Sequence, residues 1–131
     1  MASIRKEVHI ACSPEKAWDA LRDVGALHTR LVPGFVVDTK LEEGGRARMV
    51  TFGNGVVARE LIVDVDDASR RLVWSVVGAP FTHHNASAQV FAEDNGCRFV
   101  WVADLLPNDI ADRIRAMIEQ GTAVIKATLE R

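Results

Sequence analysis

Few side chains in this sequence are placed to do chemistry, and each has an ordinary structural alternative. His84 lies on a strand face otherwise made of Ala86, Ala88, Val90 and Ala92. An imidazole there can act as an acid or base near neutral pH, or be a satisfied core histidine. His83 points to the opposite face, so the doublet cannot hold one metal ion. Arg48 and Glu60 fall on neighbouring strands. Facing inward, they would be a pre-placed site that orients a polar group or moves a proton. Facing outward, they would be an exposed cross-strand pair worth about 0.2–1 kcal/mol. His28 precedes Pro33 in a short helical segment, where it is either a pocket-entrance residue or an exposed loop histidine.

Other chemistries lack their signatures. The sequence has no CxxC, HExxH, P-loop, GxGxxG or GxSxG motif, so neither a metal nor another cofactor is expected. Cys12 and Cys97 are expected as free thiols in a reducing compartment. A net charge of −2, with both signs interspersed, leaves no broad positive field for nucleic acid. Apolar runs fall well short of the roughly 20 residues of a membrane span. Met1 to Ile10 carries Arg5, Lys6 and Glu7 without an apolar core, so a cytoplasmic location is expected. At 131 residues the chain is read as one domain, 1–131, able to bury a substantial core.

The elements that must position these residues follow from turn and cap signals. Ile4–Ile10 reads as a strand, and Ser13-Pro14 starts a helix running to about Asp23, with a hydroxyl cap and proline at the first helical position. Gly25–Leu31 is expected as a second short helix, stopped by Pro33-Gly34. Strands follow at about 35–42, 46–52, 56–65, 72–78, 82–93 and 97–105. Gly44-Gly45, Asn54-Gly55 and Asn95-Gly96 supply the tight turns. A long amphipathic helix, capped by Asn108 or Asp109, closes the chain to about Glu130. Its apolar stripe is Ile110, Ile114, Met117, Val124 or Ile125, and Leu129. The fold class is therefore α+β: a curved, seven-stranded antiparallel sheet around a long C-terminal helix, in the order β-α-α-β-β-β-β-β-β-α. A sheet wrapped on one helix leaves room between the layers for a small apolar molecule.

Alternation along each strand assigns the faces. A two-residue Asn95-Gly96 turn pairs Ala92 with Phe99, Val90 with Trp101 and Ala88 with Ala103, which brings Phe99 and Trp101 inside. The Gly44-Gly45 turn sets Leu41 opposite Arg48, beside Phe35, Val37, Val50 and Phe52. Leu72, Trp74 and Val76 face inward. Strand 56–65 is ambiguous. Its Val57/Leu61/Val63/Val65 face is greasier than its Ala58/Glu60/Ile62 face, and periodicity alone puts Glu60 outside. A two-residue Asn54-Gly55 loop aligns Glu60 with Met49, whereas a three-residue Gly53-Asn54-Gly55 loop with left-handed Gly55 aligns it with Arg48. If Leu61, Val63 and Val65 face out, they form an apolar strip that would suit a homodimer.

Five motifs in order resemble the polyketide cyclase/dehydrase branch of the START-like (SRPBCC, helix-grip) superfamily, over essentially the whole chain. They are Ser13-Pro14-Glu15-Lys16-Ala17-Trp18 with Leu27-His28; Arg59-Glu60-Leu61 with Asp66-Asp67; His84 to Val90; Cys97 to Trp101 running to Pro107; and Gly121 with Ile125-Lys126 and Leu129-Glu130. Within that superfamily the chain is similar to lachrymatory factor synthases and plant abscisic acid receptors, both of which keep a cavity-facing glutamate at the Glu60 position. The synthase also has an arginine at the Arg48 position, and both families have a tyrosine at His84. The resemblance thus implies a polar cluster of Arg48, Glu60 and His84 within an apolar pocket. The tyrosine-to-histidine departure keeps the synthase's own reaction out of that implication. Val77–Phe81 lacks the receptors' gate sequence, which speaks against hormone signalling.

Two ligand-binding functions remain open, beside a third reading as an interaction module that dimerises through the Leu61/Val63/Val65 strip around a dry interior. One is an enzyme acting on a small hydrophobic or polyketide-like molecule by proton transfer, in cyclisation, dehydration or isomerisation, with Glu60, Arg48 and His84 as its catalytic residues. The other is a non-catalytic carrier of a hydrophobic metabolite. In either case the expected ligand wall is His28, Phe52, Trp74, Ala86, Ala88, Trp101, Ile114, Met117 and Gly121. Of these, Trp74 and Trp101 would otherwise be plain core, and Gly121 would otherwise let the helix sit close on the sheet.

Overall fold

The computed structural model describes residues 2–131. Strand β1 (Ala2–Ile10) leads to helix α1 (Pro14–Arg22), whose first turn is closed by Ser13 Oγ accepting from the Lys16 amide at 3.1 Å. A 3₁₀ turn (Val24–Ala26) and a π turn (Leu27–Leu31) stand where one short regular helix was expected. Strands β2 (Val36–Glu42), β3 (Ala47–Phe52), β4 (Val57–Asp66), β5 (Arg71–Val77), β6 (His83–Glu93) and β7 (Gly96–Leu106) follow, and then helix α2 (Ala111–Leu129). All seven strands form one antiparallel sheet in the order β1-β7-β6-β5-β4-β3-β2. Among the described residues no helix is long and apolar enough to cross a membrane.

The β3–β4 connection settles the ambiguous register. Phe52 and Val56 are joined by a 2.8 Å backbone hydrogen bond, so the loop is Gly53-Asn54-Gly55, with Gly55 left-handed at φ 89°. A side chain at Gly55 would be strained there. The three-residue loop places Arg48 directly opposite Glu60. Both then point into the concave side, against the hydrophobic periodicity of β4. Val57 and Val63 are instead more than half exposed, at 55% and 58%.

Three other readings need correction. The β6–β7 turn is Asp94-Asn95 rather than Asn95-Gly96, so Ala92 pairs with Cys97, Val90 with Phe99 and Ala88 with Trp101. The slip is two residues, an even number, so every side chain keeps its face. Val37 is outside rather than in, because a bulge between Val36 and Asp38 turns Val36 inward in its place. No side chain caps α2: a 3₁₀ turn over Asn108–Ile110 leads into it instead. The buried stripe of α2 is Ile114, Ile118, Gly121, Thr122, Ile125 and Leu129.

Much of the motif pattern does structural work. Asp67 Oδ1 accepts from Trp18 Nε1 and Arg22 Nε, both at 2.9 Å, and so ties α1 to the β4–β5 loop. These two donors hold its carboxyl below the usual carboxylate range. Asp66 closes the same loop by accepting from the Ala68 amide and the Ser69 hydroxyl. At the other end Glu130 accepts from the Ala11 amide, and Lys126 donates to the His9 carbonyl, which pins α2 to β1. At Gly121 helix α2 sits directly on two aromatic rings. A Cβ there would lie 3.0 Å from the Trp101 ring and 3.2 Å from the Phe35 ring.

Candidate functional site

Between the sheet and α2 lies a chamber of about 420 Å³. This is within the range of small-molecule sites, roughly 300–1,000 Å³. Its wall is mostly apolar and takes Phe52, Trp74, Ala88 and Trp101 from the sheet, and Ile114 and Met117 from α2. The small Ala88 leaves space that Trp74 and Trp101 line as flat surfaces, their ring centroids 6.1 Å apart.

Three ionisable groups with distinct environments line this chamber from the sheet. Arg48 is 3% exposed and Glu60 6%. Arg48 Nε donates to Glu60 Oε1 at 2.8 Å, and Nη1 donates to the Val24 carbonyl at 3.2 Å. The 3₁₀ turn at Val24–Ala26 thus helps orient the guanidinium, which also lies 5.9 Å from the Trp74 ring centre. Among the described residues nothing bonds Glu60 Oε2 or Arg48 Nη2, and neither atom is sealed off by protein. The pair therefore offers the chamber one acceptor and one donor side by side. Desolvating both charges costs several kcal/mol per ion, which the mutual attraction must offset. Such a pair is weak evidence for stability, and its placement calls for another reason.

His84 does not join that pair. In the sheet Glu60 is opposite Val76, and the β5–β6 register, carried one step beyond Ser75–Asn85, brings His84 beside Val76. Two strand spacings of about 4.8 Å therefore separate Glu60 from His84, roughly 10 Å in all. The His84 ring lies on Phe81 with centroids 4.4 Å apart, and its Nδ1 is buried without a partner. Burial first, and the charge of His83 second, push its pKa down to about 4. At neutral pH it is an uncharged imidazole.

Among the other expected wall residues, His28, Ala86 and Gly121 lie off the chamber lining. His28 is half-buried with Nδ1 unpartnered, Ala86 is packed into the core, and Gly121 sits under Trp101 and Phe35. Asp104 faces the convex side of the sheet, near Asn85 and Ser87. Neither thiol lines this site. Cys97 is fully buried outside the lining, and burial first, with Cys12 beside it second, pushes its thiol up to about 12.

Sequence reasoning missed Leu27, Leu31, Phe81, Ile118 and Arg113, all of which line the chamber. The π turn that carries Leu27 and Leu31 has no simple periodicity to announce it. Arg113 did carry a signal. It is three residues after Ile110 and four before Met117, the spacing of the apolar stripe itself.

The comparisons with known proteins agree with this architecture. The model of the family described as polyketide cyclase / dehydrase and lipid transport matches residues 1–131. The chain belongs to that family. Among solved structures, an uncharacterised protein of Bacillus thuringiensis superposes with a TM-score of 0.88 at 21% identity, covering 99% of this chain and 100% of that one. The protein XoxI of Bacillus cereus gives 0.84 at 22%, covering 99% and 94%. A point mutant of norcoclaurine synthase from Thalictrum flavum, solved with a transition-state analogue, gives 0.68 at 17%, covering 98% and 93%. At these identities the structures speak for the fold. No curated protein matches the sequence.

Proposed function

We propose that this family member binds a small hydrophobic molecule bearing a carbonyl group in its chamber, and catalyses proton transfer next to that carbonyl. The observation that carries this reading is the buried Arg48–Glu60 pair with one free oxygen and one free nitrogen turned to an apolar space. Arg48 Nη2 would donate to the carbonyl oxygen. Glu60 Oε2 would take a proton from the adjacent carbon as the C–H electron pair moves toward that oxygen, giving an enolate held by Arg48. Glu60 would then return the proton to a different carbon, which is an isomerisation. Delivered instead to a β-hydroxyl, the proton leaves with it as water, which is a dehydration. His84, uncharged and two strand spacings away, would hydrogen-bond a polar group at the far end of the ligand rather than share the Glu60 proton.

A carrier would use the same pair only to fix a ligand's polar end, and the separation of His84 from Glu60 favours keeping that reading. The two separate by experiment. Native mass spectrometry of freshly purified protein should reveal a retained small molecule, which is then incubated with wild type and Glu60→Gln. An enzyme loses turnover by orders of magnitude while affinity is kept. A carrier turns nothing over and loses affinity alone.

A further inference from the structure

We infer that the ligand is a mono-anion, its carboxylate or similar acidic group held at the chamber mouth by Arg113. This rests on the binding reading above and adds the charge and polarity of what is bound. The lining residues exposed to solvent are Asn54 from the β3–β4 loop, Val56 just after it, Pro80 from the β5–β6 connection, and Arg113 from the first turn of α2. These mark the mouth, and Arg113 is the one charged group on it.

Three observations make Arg113 more than a solvated surface arginine. It lies on the chamber-facing side of α2, between Ile110 and Met117 in helical spacing. Among the described residues it has neither a hydrogen bond nor an ion pair, although Asp109 is one helical turn before it and Asp112 is adjacent. Asp112 pairs with Arg115 instead, at 3.1 Å. A cation in the first turn also opposes the helix dipole, so helix stability gives no reason for it.

Charge counting along the chamber points the same way. Arg48 and Glu60 cancel, and His84 is neutral, which leaves Arg113 as the uncompensated charge on the lining. A ligand matched to this wall has an apolar body, a neutral carbonyl at Arg48 and Glu60, and one negative charge at the entrance. Neutral lipids and cationic amines fit it less well.

Isothermal titration at pH 8 with decanoate and with 1-decanol, both below their aggregation limits, tests this. Decanoate should bind roughly fivefold tighter, the gain of one partly exposed ion pair. Arg113→Gln should close that gap by weakening decanoate alone, Arg113→Lys should restore much of it, and 0.5 M salt should narrow it in the wild type. Equal affinities, or a Gln variant that weakens both probes alike, would overturn the charge assignment while leaving the chamber's binding role intact. If wild type binds neither probe, the binding reading itself fails and this inference fails with it.

Discussion

Strands β4 and β6 bound the same chamber and follow opposite rules. In β6 the small apolar residues Ala86, Ala88 and Val90 face inward and, His84 apart, the polar residues face out, the ordinary arrangement for a sheet with one buried face. In β4 the inward position belongs to Glu60, while Val57 and Val63 are exposed. The inversion depends on a partner. Glu60 can be inside because β3 sets Arg48 directly opposite and the Val24 carbonyl takes up another guanidinium N–H. Strand β6 shapes the chamber's volume and adds one neutral imidazole, His84, whereas β4, with Arg48 of β3 opposite, supplies its buried charge. Sequences that break their own periodicity tend to do so where function requires it.

The sharpest way to break this contrast is to remove one member of the pair. Glu60→Ala should destabilise the fold by about 3–5 kcal/mol in urea unfolding, because it strands a buried guanidinium. The double change Arg48→Met with Glu60→Leu should recover stability to wild type or above, while abolishing any turnover. A double variant as unstable as the single one would show that the pair holds the fold together.

Next in size is the response to acid. In the unfolded chain His84 gains its proton as pH falls through about 6.5, whereas in the fold burial delays this to about 4. Above pH 6.5 both states are neutral there, and His84 makes no difference to stability. Between 6.5 and 4 the unfolded state binds the proton first, so stability falls by about 1–2 kcal/mol once the partial exposure of His84 is allowed for. A His84→Gln variant should have a flatter stability profile across that window. An identical profile would mean that His84 is not desolvated.

Filling the β6 face should cost less. Ala88→Phe should lower stability by about 1 kcal/mol, since the new ring has the chamber to occupy. The smallest effect belongs to the outward face of β4. Val63→Thr should change the melting temperature by no more than about 0.5 kcal/mol implies. A larger loss, together with a shift in oligomeric state by light scattering, would instead support pairing of two copies through the exposed valines.

Much of the architecture was legible because its signals are local. Ser13-Pro14, the turn dipeptides and the period of α2 each act within a few residues, and the fold class and the order of elements along the chain follow from them. The pairing of β1 with β7, by contrast, is non-local and was not read. The β6–β7 turn was displaced by one residue, but the resulting register shift of two left Phe99 and Trp101 inside. Glu60 is the instructive case. Hydrophobic patterning alone turns it outward, and only the left-handed Gly55 loop or the family resemblance turns it in. Val37 was misplaced because a bulge leaves no mark in the alternation. The expected three-residue cluster became a pair and a separate histidine. Distance across a sheet depends on how many strands intervene, and residue types do not report that. Arg113 was readable from its helical spacing, but a charge on an apolar stripe is easily passed over.

The central claim is a hollow apolar chamber with Trp74 and Trp101 in its wall, and it can be tested by titrating the protein with 8-anilinonaphthalene-1-sulfonate while following tryptophan quenching. The account predicts saturation at one molecule per chain and loss of that binding in Ala88→Phe. Absence of quenching, or binding unchanged in Ala88→Phe, would contradict it.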